Sequence, residues 1–164
     1  MNQFSTQEVE RLINTYSDMV LRLSFSYLKS IADAEDICQT VFLKLMTTGA
    51  VFDSPAHEKA YIIRATINAC KNELKAFRRK LVSIDEMTDS TVQGIPSTDV
   101  LDAVMELPRK YREAIYLFYY EGYSIGEIAR LLGYSESAVA AHLSRGRKQL
   151  RNVLGEEYEQ RLSQ

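Results

Sequence analysis

The segment SIGEIARLLGYSESAVAAHLSRGRKQLR, residues 124–151, constrains the fold most, because it predicts two helices joined by a tight turn. Ser124 and Glu127 have the spacing of a capping box, which predicts where the first helix begins. Gly133 predicts its end, and Ser135 is suited to cap the second helix. The helical period predicts the buried faces of the pair, which are Ile125, Ile128, Ala129, Leu132, Val139, Leu143, Gly146 and Leu150. The segment therefore predicts a helix-turn-helix.

The opposite face of the second helix combines small side chains with cations. Small side chains let a helix approach base edges in a DNA major groove, and Arg or Lys holds the phosphates. Positive charge near a helix end is also favoured by the helix dipole in any bundle, so charge alone does not establish DNA binding. The residues predicted to contact DNA are Ser137, Ala140, Ala141, Ser144, Arg145, Arg147, Lys148 and Arg151.

Composition predicts an all-α chain of two small helical domains. Only 7 Gly and 3 Pro occur in 164 residues, and 46% of the residues are hydrophobic. Apolar positions repeat with the helical period rather than alternating as in strands. Residues 81–100 lack this period and hold four acidic residues but no Lys or Arg. We therefore predict an N-terminal helical domain at 1–80, a flexible acidic linker at 81–100 and a C-terminal helix-turn-helix domain at 101–164.

Several classes of function lack supporting residues in this sequence. No apolar run approaches the roughly 18 residues of a membrane span, and the first residues are polar, so we expect a cytoplasmic protein without membrane insertion. Cys38 and Cys70 lie on apolar helical stripes, where reduced core thiols are usual. His57 and His142 stand alone, and no spacing matches a metal site, a phosphate loop or a catalytic triad. We expect no cofactor, no metal and no enzymatic activity.

The N-terminal domain is predicted to hold three helices, at residues 6–29, from Asp33 as an N-cap, and at 56–80. On the second helix, Phe42 is predicted to face outward beside acidic and amide groups. An exposed Phe beside carboxylates can mark a protein-binding surface, although a single such residue is more often ordinary packing. The predicted core of the other two helices is Val9, Leu12, Ile13, Tyr16, Val20, Leu23, Tyr27, Ile63, Ile67, Cys70, Leu74 and Phe77.

The solvent face of the third helix aligns an aromatic ring, an amide and cations. Its members recur at helical spacing and are Tyr61, Arg64, Asn68, Lys71, Lys75 and Arg79. An aromatic ring stacks on an unpaired base, and cations hold the backbone of the same strand. A solvated basic face is the alternative interpretation, since charged stripes are common on surface helices.

The C-terminal domain is predicted to begin with a short helix at 99–106 that stops before Pro108. Pro108 is predicted to occupy the first position of the next helix, where its missing N–H costs nothing. Tyr111, Ile115 and Phe118 are predicted to form the core side of that helix.

Three segments together resemble the extracytoplasmic-function (ECF) sigma factors, the compact two-domain class of bacterial RNA polymerase sigma subunits. They are DAEDICQTVFLKL, KAYIIRATINACKNELKAFRRK and LPRKYREAIYLFYYEGYSIGEIARLLGYSESAVAAHLSRGRKQL, in the order and separation of that family. The resemblance implies a segment that docks on core polymerase, comprising Asp33, Glu35, Asp36, Gln39 and Phe42. It implies contacts to the minus-ten promoter element by Tyr61, Arg64, Asn68, Lys71, Asn72, Lys75 and Arg79. It assigns residues 137–151 of the second domain to the minus-thirty-five element.

By this resemblance the chain is a sigma factor that directs core RNA polymerase to promoters and promotes strand opening. Its expected partners are core polymerase and promoter DNA, with an anti-sigma factor as a further partner, and the free chain is expected to be a monomer. Tyr61 replaces a frequent Trp, and Ala140 and His142 replace frequent basic residues, which implies modest affinity through the second domain. The alternatives are a free-standing helix-turn-helix transcriptional regulator, which leaves the third helix unexplained, and a protein-binding adaptor, which fits only the acidic second helix.

Overall fold

The structure is a computed structural model that describes residues 4–81 and 99–155. All regular structure in these ranges is helical, which confirms the predicted all-α class. Contacts divide the chain into two compact units, residues 1–93 and 94–164. The predicted linker at 81–100 lies almost entirely outside the described residues, so its flexibility and the domain boundaries stay predictions.

The first unit contains three helices, α1 (Thr6–Leu28), α2 (Ile31–Thr48) and α3 (Pro55–Leu81). The hydroxyl of Ser5 caps α1 by accepting a hydrogen bond from the backbone N–H of Glu8 at 3.2 Å. The hydroxyl of Ser30 caps α2 by accepting the N–H of Asp33 at 3.2 Å. The prediction that Asp33 is the cap is therefore wrong, because the hydroxyl three residues earlier takes that place and leaves Asp33 in the first turn.

The core of the first unit follows the predicted stripes of α1 and α3 except at four positions, of which Val9 and Leu74 are half-buried. Leu12, Val20, Leu23, Ile62, Ile63 and Ile67 are buried on the facing sides of the helices. Ile13 and Phe77, both predicted to be buried, are 38% and 54% exposed. Every residue from Lys75 to Arg79 is exposed, so the core ends before the last described turns of α3. Helical periodicity predicts which side of a helix is apolar, but it does not predict how much of the helix's length is covered by the helices packed against it.

The two cysteines differ in environment and are both free thiols. Cys70 is fully buried, as predicted, and burial raises the pKa of its thiol to about 11. Cys38 is only half-buried, and partial burial also raises its pKa. Because the thiolate is the reactive form, both residues are poor nucleophiles at neutral pH.

The second unit contains α4 (Asp99–Glu106), α5 (Arg109–Ile115), a π-helical segment (Tyr116–Tyr120), α6 (Ile125–Leu132) and α7 (Glu136–Leu154). Pro108 is the N-cap of α5 and not its first helical residue, as was predicted, so the helix begins one residue later, at Arg109. The buried Arg112 side chain donates to the carbonyls of Met105 and Leu107 at 3.1 and 2.9 Å, which joins α5 to the end of α4. Phe118, predicted to be in the core, is half-buried, whereas Leu117 is fully buried.

Gly146 brings α5 and α7 into close contact. A Cβ atom at this position would lie 2.6 Å from Cδ1 of Ile115 and 3.2 Å from Cβ of Tyr111. These distances are shorter than van der Waals contact, so the two helices approach this closely only because residue 146 has no side chain. α7 is thereby held directly against α5.

Candidate nucleic-acid interface

The local signals of the predicted helix-turn-helix are all present in α6 and α7. Ser124 and Glu127 form the reciprocal capping box, with hydrogen bonds of 3.2 and 3.1 Å between each side chain and the other's backbone N–H. The bond from the backbone of Ser124 holds the pKa of Glu127 below its usual value. Gly133 ends α6 with a φ of 75°, and Ser135 caps α7. The tight turn requires one residue in the left-handed backbone conformation between the helices, and Gly adopts that conformation without strain.

The predicted DNA-contacting residues of α7 lie on the side opposite the core. Val139, Leu143, Gly146 and Leu150 are buried, as the period predicted. Ala141 and Arg147 are half-buried, and the other predicted residues are exposed, namely Ser137, Ala140, Ser144, Arg145, Lys148 and Arg151. Small groups occupy the first half of this face and cations the second half, which suits a helix that enters a groove by its N-terminal end.

His142 is held between two aromatic rings on one flank of α7. Its ring centroid lies 5.2 Å from that of Tyr134 and 5.7 Å from that of Tyr111. Burial lowers its pKa, and the nearby charges of Lys110 and Arg145 lower the pKa further. The imidazole is therefore neutral at pH 7, so His142 supplies no positive charge at this position. Lys110 adds an exposed cation near α7 that the sequence reasoning missed, because it comes from α5.

The predicted face of α3 is continuous along one helix. Arg64, Asn68, Asn72, Lys75 and Arg79 are exposed, whereas Tyr61 and Lys71 are half-buried. The opposite side holds buried Ile63, Ile67 and Cys70. The structure therefore places the predicted residues together on a surface that the core does not use.

An aromatic cluster at the start of α3 positions Tyr61. The Phe52 ring, from the turn before α3, lies 5.3 Å from the Tyr61 ring and 5.5 Å from the His57 ring. His57 Nδ1 accepts a hydrogen bond from the N–H of Asp53 at 3.2 Å, which fixes the same turn. Sequence reasoning missed Phe52; the available signal was a large apolar ring within the turn sequence GAVFDSP.

A groove of about 260 Å³ lies between α2 and α3, next to this face. Asn68, Asn72 and the acidic Glu73 line it from α3, together with Thr40 and Lys44 from α2. Side-chain amides carry both donors and acceptors, so the groove offers hydrogen bonds to a planar polar group such as a nucleobase edge. The apolar part of the lining is Ile37, Val41, Ala65 and Ala69.

The predicted polymerase-docking residues of α2 separate into two groups. Asp33, Glu35, Asp36 and Gln39 are exposed. Phe42 is only 7% exposed, so the prediction that it faces outward is wrong. α2 packs against both α1 and α3, which widens its buried arc beyond a single stripe and includes Phe42 in it.

The exposed apolar residue of α2 is instead Leu43, which is 58% exposed. It lies four residues after Gln39 and seven after Asp36, so the three share one helical face. The sequence reasoning missed Leu43 because it placed the neighbouring Phe on that face.

The described parts of the chain contain neither a membrane-spanning helix nor a metal-binding cluster. No helix there is long and apolar enough to cross a membrane. No group of three or more His, Cys, Asp or Glu side chains in residues 4–81 and 99–155 is arranged to hold a metal ion.

Comparison with known proteins identifies two family regions in the chain. Residues 12–80 match the Sigma-70 region 2 family, and residues 97–150 match the Sigma-70, region 4 family. The ECF RNA polymerase sigma factor SigM of Mycobacterium tuberculosis is 27% identical over 89% of this chain and 76% of its own length. RNA polymerase sigma factor SigV of Bacillus subtilis is 29% identical over 83% of this chain and 84% of its own.

A solved structure shares the fold. The sigma factor RpoE of Bartonella quintana, crystallised with the anti-sigma factor NepR, superposes with a TM-score of 0.80 at 20% identity, covering 92% of this chain and 99% of that one. At this identity the likeness concerns the fold alone. The first matched region contains the α3 face and its groove, and the second contains α6 and α7.

Proposed function

The chain belongs to the ECF class of sigma-70 factors, and from this premise we propose that it contacts promoter DNA through α3 and α7 and core RNA polymerase through α2. It is a transcription initiation factor, and polymerase supplies the chemistry. The observation that carries the proposal is the face of α3 from Tyr61 to Arg79. It aligns an aromatic ring, amides and cations on the side of the helix opposite its buried residues.

The face of α3 is proposed to bind the minus-ten element as an unpaired strand. Tyr61 offers a ring for base stacking, and Phe52 holds that ring at the start of the helix. Arg64, Lys71, Lys75 and Arg79 then follow the strand as phosphate contacts. Asn68 and Asn72 are proposed to hydrogen-bond a base that enters the groove between α2 and α3. A duplex-only regulator would have no use for this combination.

The exposed face of α7 is proposed to read the minus-thirty-five element as duplex. Ser137, Ala140 and Ala141 permit close approach to base edges, and Ser144 adds a hydroxyl. Arg145, Arg147, Lys148 and Arg151 hold phosphates. Because His142 is neutral, it adds no cation to this surface, and affinity through this unit is expected to be modest.

The exposed face of α2 is proposed as the polymerase-docking surface. Asp36 and Gln39 provide polar contacts, and Leu43 provides the apolar contact in place of Phe42. Asp33 and Glu35 extend the negative charge toward the start of α2, which favours a basic partner surface. An apolar residue surrounded by polar groups is the usual composition of a small protein interface.

An anti-sigma factor is proposed as a further partner. Support comes from the solved structures of similar fold, which include RpoE with NepR and CnrH with the cytosolic domain of CnrY. The second of these has a TM-score of 0.64. Such a regulator would act by covering one or more of the three surfaces proposed above.

Reconstitution with core polymerase tests the proposed function. The purified chain is mixed with core enzyme and genomic DNA fragments, and transcripts are mapped by their start sites. We expect transcripts from a defined set of promoters that core enzyme alone does not use. A chain that bound duplex DNA specifically without polymerase, and that added no new start sites, would instead be a free-standing regulator.

A further inference from the structure

Arg147 is a cation of the proposed DNA-binding face of α7 whose guanidinium has a direct hydrogen-bond acceptor on another helical segment. Its Nη1 donates to the hydroxyl of Tyr119 at 2.9 Å. Tyr119 belongs to the π-helical segment, and both side chains are half-buried. The guanidinium is therefore held at a defined point on the flank of α7, in contrast to the exposed side chain of Lys148.

The packing of α5 against α7 explains how the two residues meet. Ile115 contacts Gly146, and a larger residue at 146 would push the helices apart. Tyr119 lies one turn beyond Ile115, and Arg147 directly follows Gly146, so the close approach also aligns this pair. The ring of Phe118 lies 5.0 Å from that of Tyr119 in an edge-on arrangement, which restricts the Tyr119 ring.

The backbone around Tyr119 is unusual for a helix. The N–H of Glu121 bonds to the carbonyl of Tyr116, five residues earlier, at 3.2 Å, and the N–H of Tyr123 bonds to the carbonyl of Leu117 at 3.0 Å. Single turns of this kind are rare and occur frequently at functional sites.

We propose that Tyr119 is a positioning residue for DNA binding, which holds the Arg147 guanidinium in place for a phosphate of the minus-thirty-five element. The inference rests on the proposed function, because it assigns a DNA-contacting role to Arg147. A guanidinium that is already ordered loses less conformational freedom when it binds phosphate. The hydroxyl of Tyr119 accepts from Arg147 and keeps its own O–H, which is able to donate to the same phosphate.

The test compares hydroxyl-deletion variants in the reconstituted holoenzyme. Tyr119→Phe removes the acceptor of Arg147 but keeps the ring. Tyr116→Phe is the matched control from the same segment, because its hydroxyl donates to Glu121 Oε1 at 2.9 Å and not to Arg147. Arg147→Ala and the double variant Tyr119→Phe, Arg147→Ala complete the set. Binding to a promoter mapped by the reconstitution experiment is measured between about 50 and 200 mM salt, a range over which one phosphate contact accounts for roughly a threefold change in affinity.

We expect Arg147→Ala to remove about one unit of the slope of log affinity against log salt. Tyr119→Phe should remove a measurable part of the same slope, Tyr116→Phe should leave it unchanged, and the double variant should match Arg147→Ala. A Tyr119→Phe holoenzyme with the parental slope, or a loss that adds fully to that of Arg147→Ala, would overturn the inference. If Arg147→Ala itself had no effect on the slope, the assignment of Arg147 as a phosphate contact would fail instead.

Discussion

The guanidinium of Arg11 on α1 forms a two-bond ion pair with the carboxylate of Glu58 on α3. Nη1 donates to Oε1 at 3.0 Å, and Nη2 donates to Oε2 at 2.9 Å. The hydroxyl of Tyr16 donates to the same Oε1 at 2.8 Å. The buried carboxylate is thus satisfied from two positions on α1, which fixes α1 against the start of α3, close to the aromatic cluster that positions Tyr61.

This pair predicts acid sensitivity of the first unit. The hydrogen bonds from Arg11 hold the pKa of Glu58 below its usual value although burial raises it, and the bond from Tyr16 lowers it further. A lowered folded-state pKa gives stability that is present above the unfolded pKa and lost as pH falls through the folded one. We expect Glu58→Gln to be less stable than the parent at pH 7, and the difference to shrink toward pH 3. Thermal unfolding followed by circular dichroism measures this; a pH-independent difference would contradict the assignment.

The corrected surface of α2 predicts opposite effects for adjacent residues. Leu43→Ala should weaken core polymerase binding and leave stability nearly unchanged, because the side chain is exposed. Phe42→Ala should lower the free energy of unfolding by about 3 kcal/mol, because it empties a buried volume. Asp36→Ala should behave like Leu43→Ala. Titration of labelled chain with core enzyme, beside thermal unfolding, checks the three variants; unchanged polymerase affinity of Leu43→Ala would remove Leu43 from the docking surface.

The two halves of the α7 face predict two kinds of DNA-binding defect. Lys148→Ala should weaken binding to all promoters and lower the salt slope by about one unit, as expected for a phosphate contact. Ala140→Leu should change which promoters are used, because a bulky side chain blocks close approach to particular bases. Start-site mapping across genomic fragments separates these outcomes. Identical promoter profiles for the two variants would show that the proposed division is wrong.

The close approach of α5 and α7 at Gly146 predicts that a larger residue is not tolerated there. Gly146→Ala should destabilise the second unit by about 1–3 kcal/mol, because the new methyl group collides with Ile115. Gly126→Ala is the matched control on α6, where a Cβ would meet only the end of the flexible Glu136 side chain, at 2.9 Å from Oε1. That control should be near neutral or stabilising, since Ala favours helix by up to about 1 kcal/mol. Equal effects of the two changes on thermal unfolding would contradict the packing account.

Local signals in the sequence were sufficient for the helix-turn-helix. The capping box at Ser124, the left-handed Gly133 and the buried face of α7 are decided by neighbours within a few residues, so pattern alone predicts them. Phe42 could not be assigned in this way, because its burial depends on α2 packing against two other helices.

Contacts distant in sequence were also unpredictable. Arg11 and Glu58 are 47 residues apart, and Tyr119 and Arg147 are 28 apart. No periodicity links such pairs; they meet only because particular helices pack together. Lys110 was missed for the same reason, since its proximity to α7 comes from the close approach at Gly146.

Strand capture by Tyr61 is the central claim, and Tyr61→Ala tests it, with Tyr61→Phe as the control that keeps the ring. Stacking of one base on an aromatic side chain contributes roughly 1–3 kcal/mol, so loss of the ring should impair strand opening and spare binding to closed duplex. A pre-melted template carries a mismatch bubble at the minus-ten element and does not require opening.

The decisive measurement is permanganate reactivity of thymines in the minus-ten element of duplex promoters, beside transcript formation on pre-melted promoters, with holoenzymes containing each variant. We predict low thymine reactivity for Tyr61→Ala on duplex, recovery of most of the transcript formation on the pre-melted template, and parental behaviour of Tyr61→Phe on both. Parental thymine reactivity of Tyr61→Ala on duplex DNA would contradict the claim that α3 captures the opened strand through this ring.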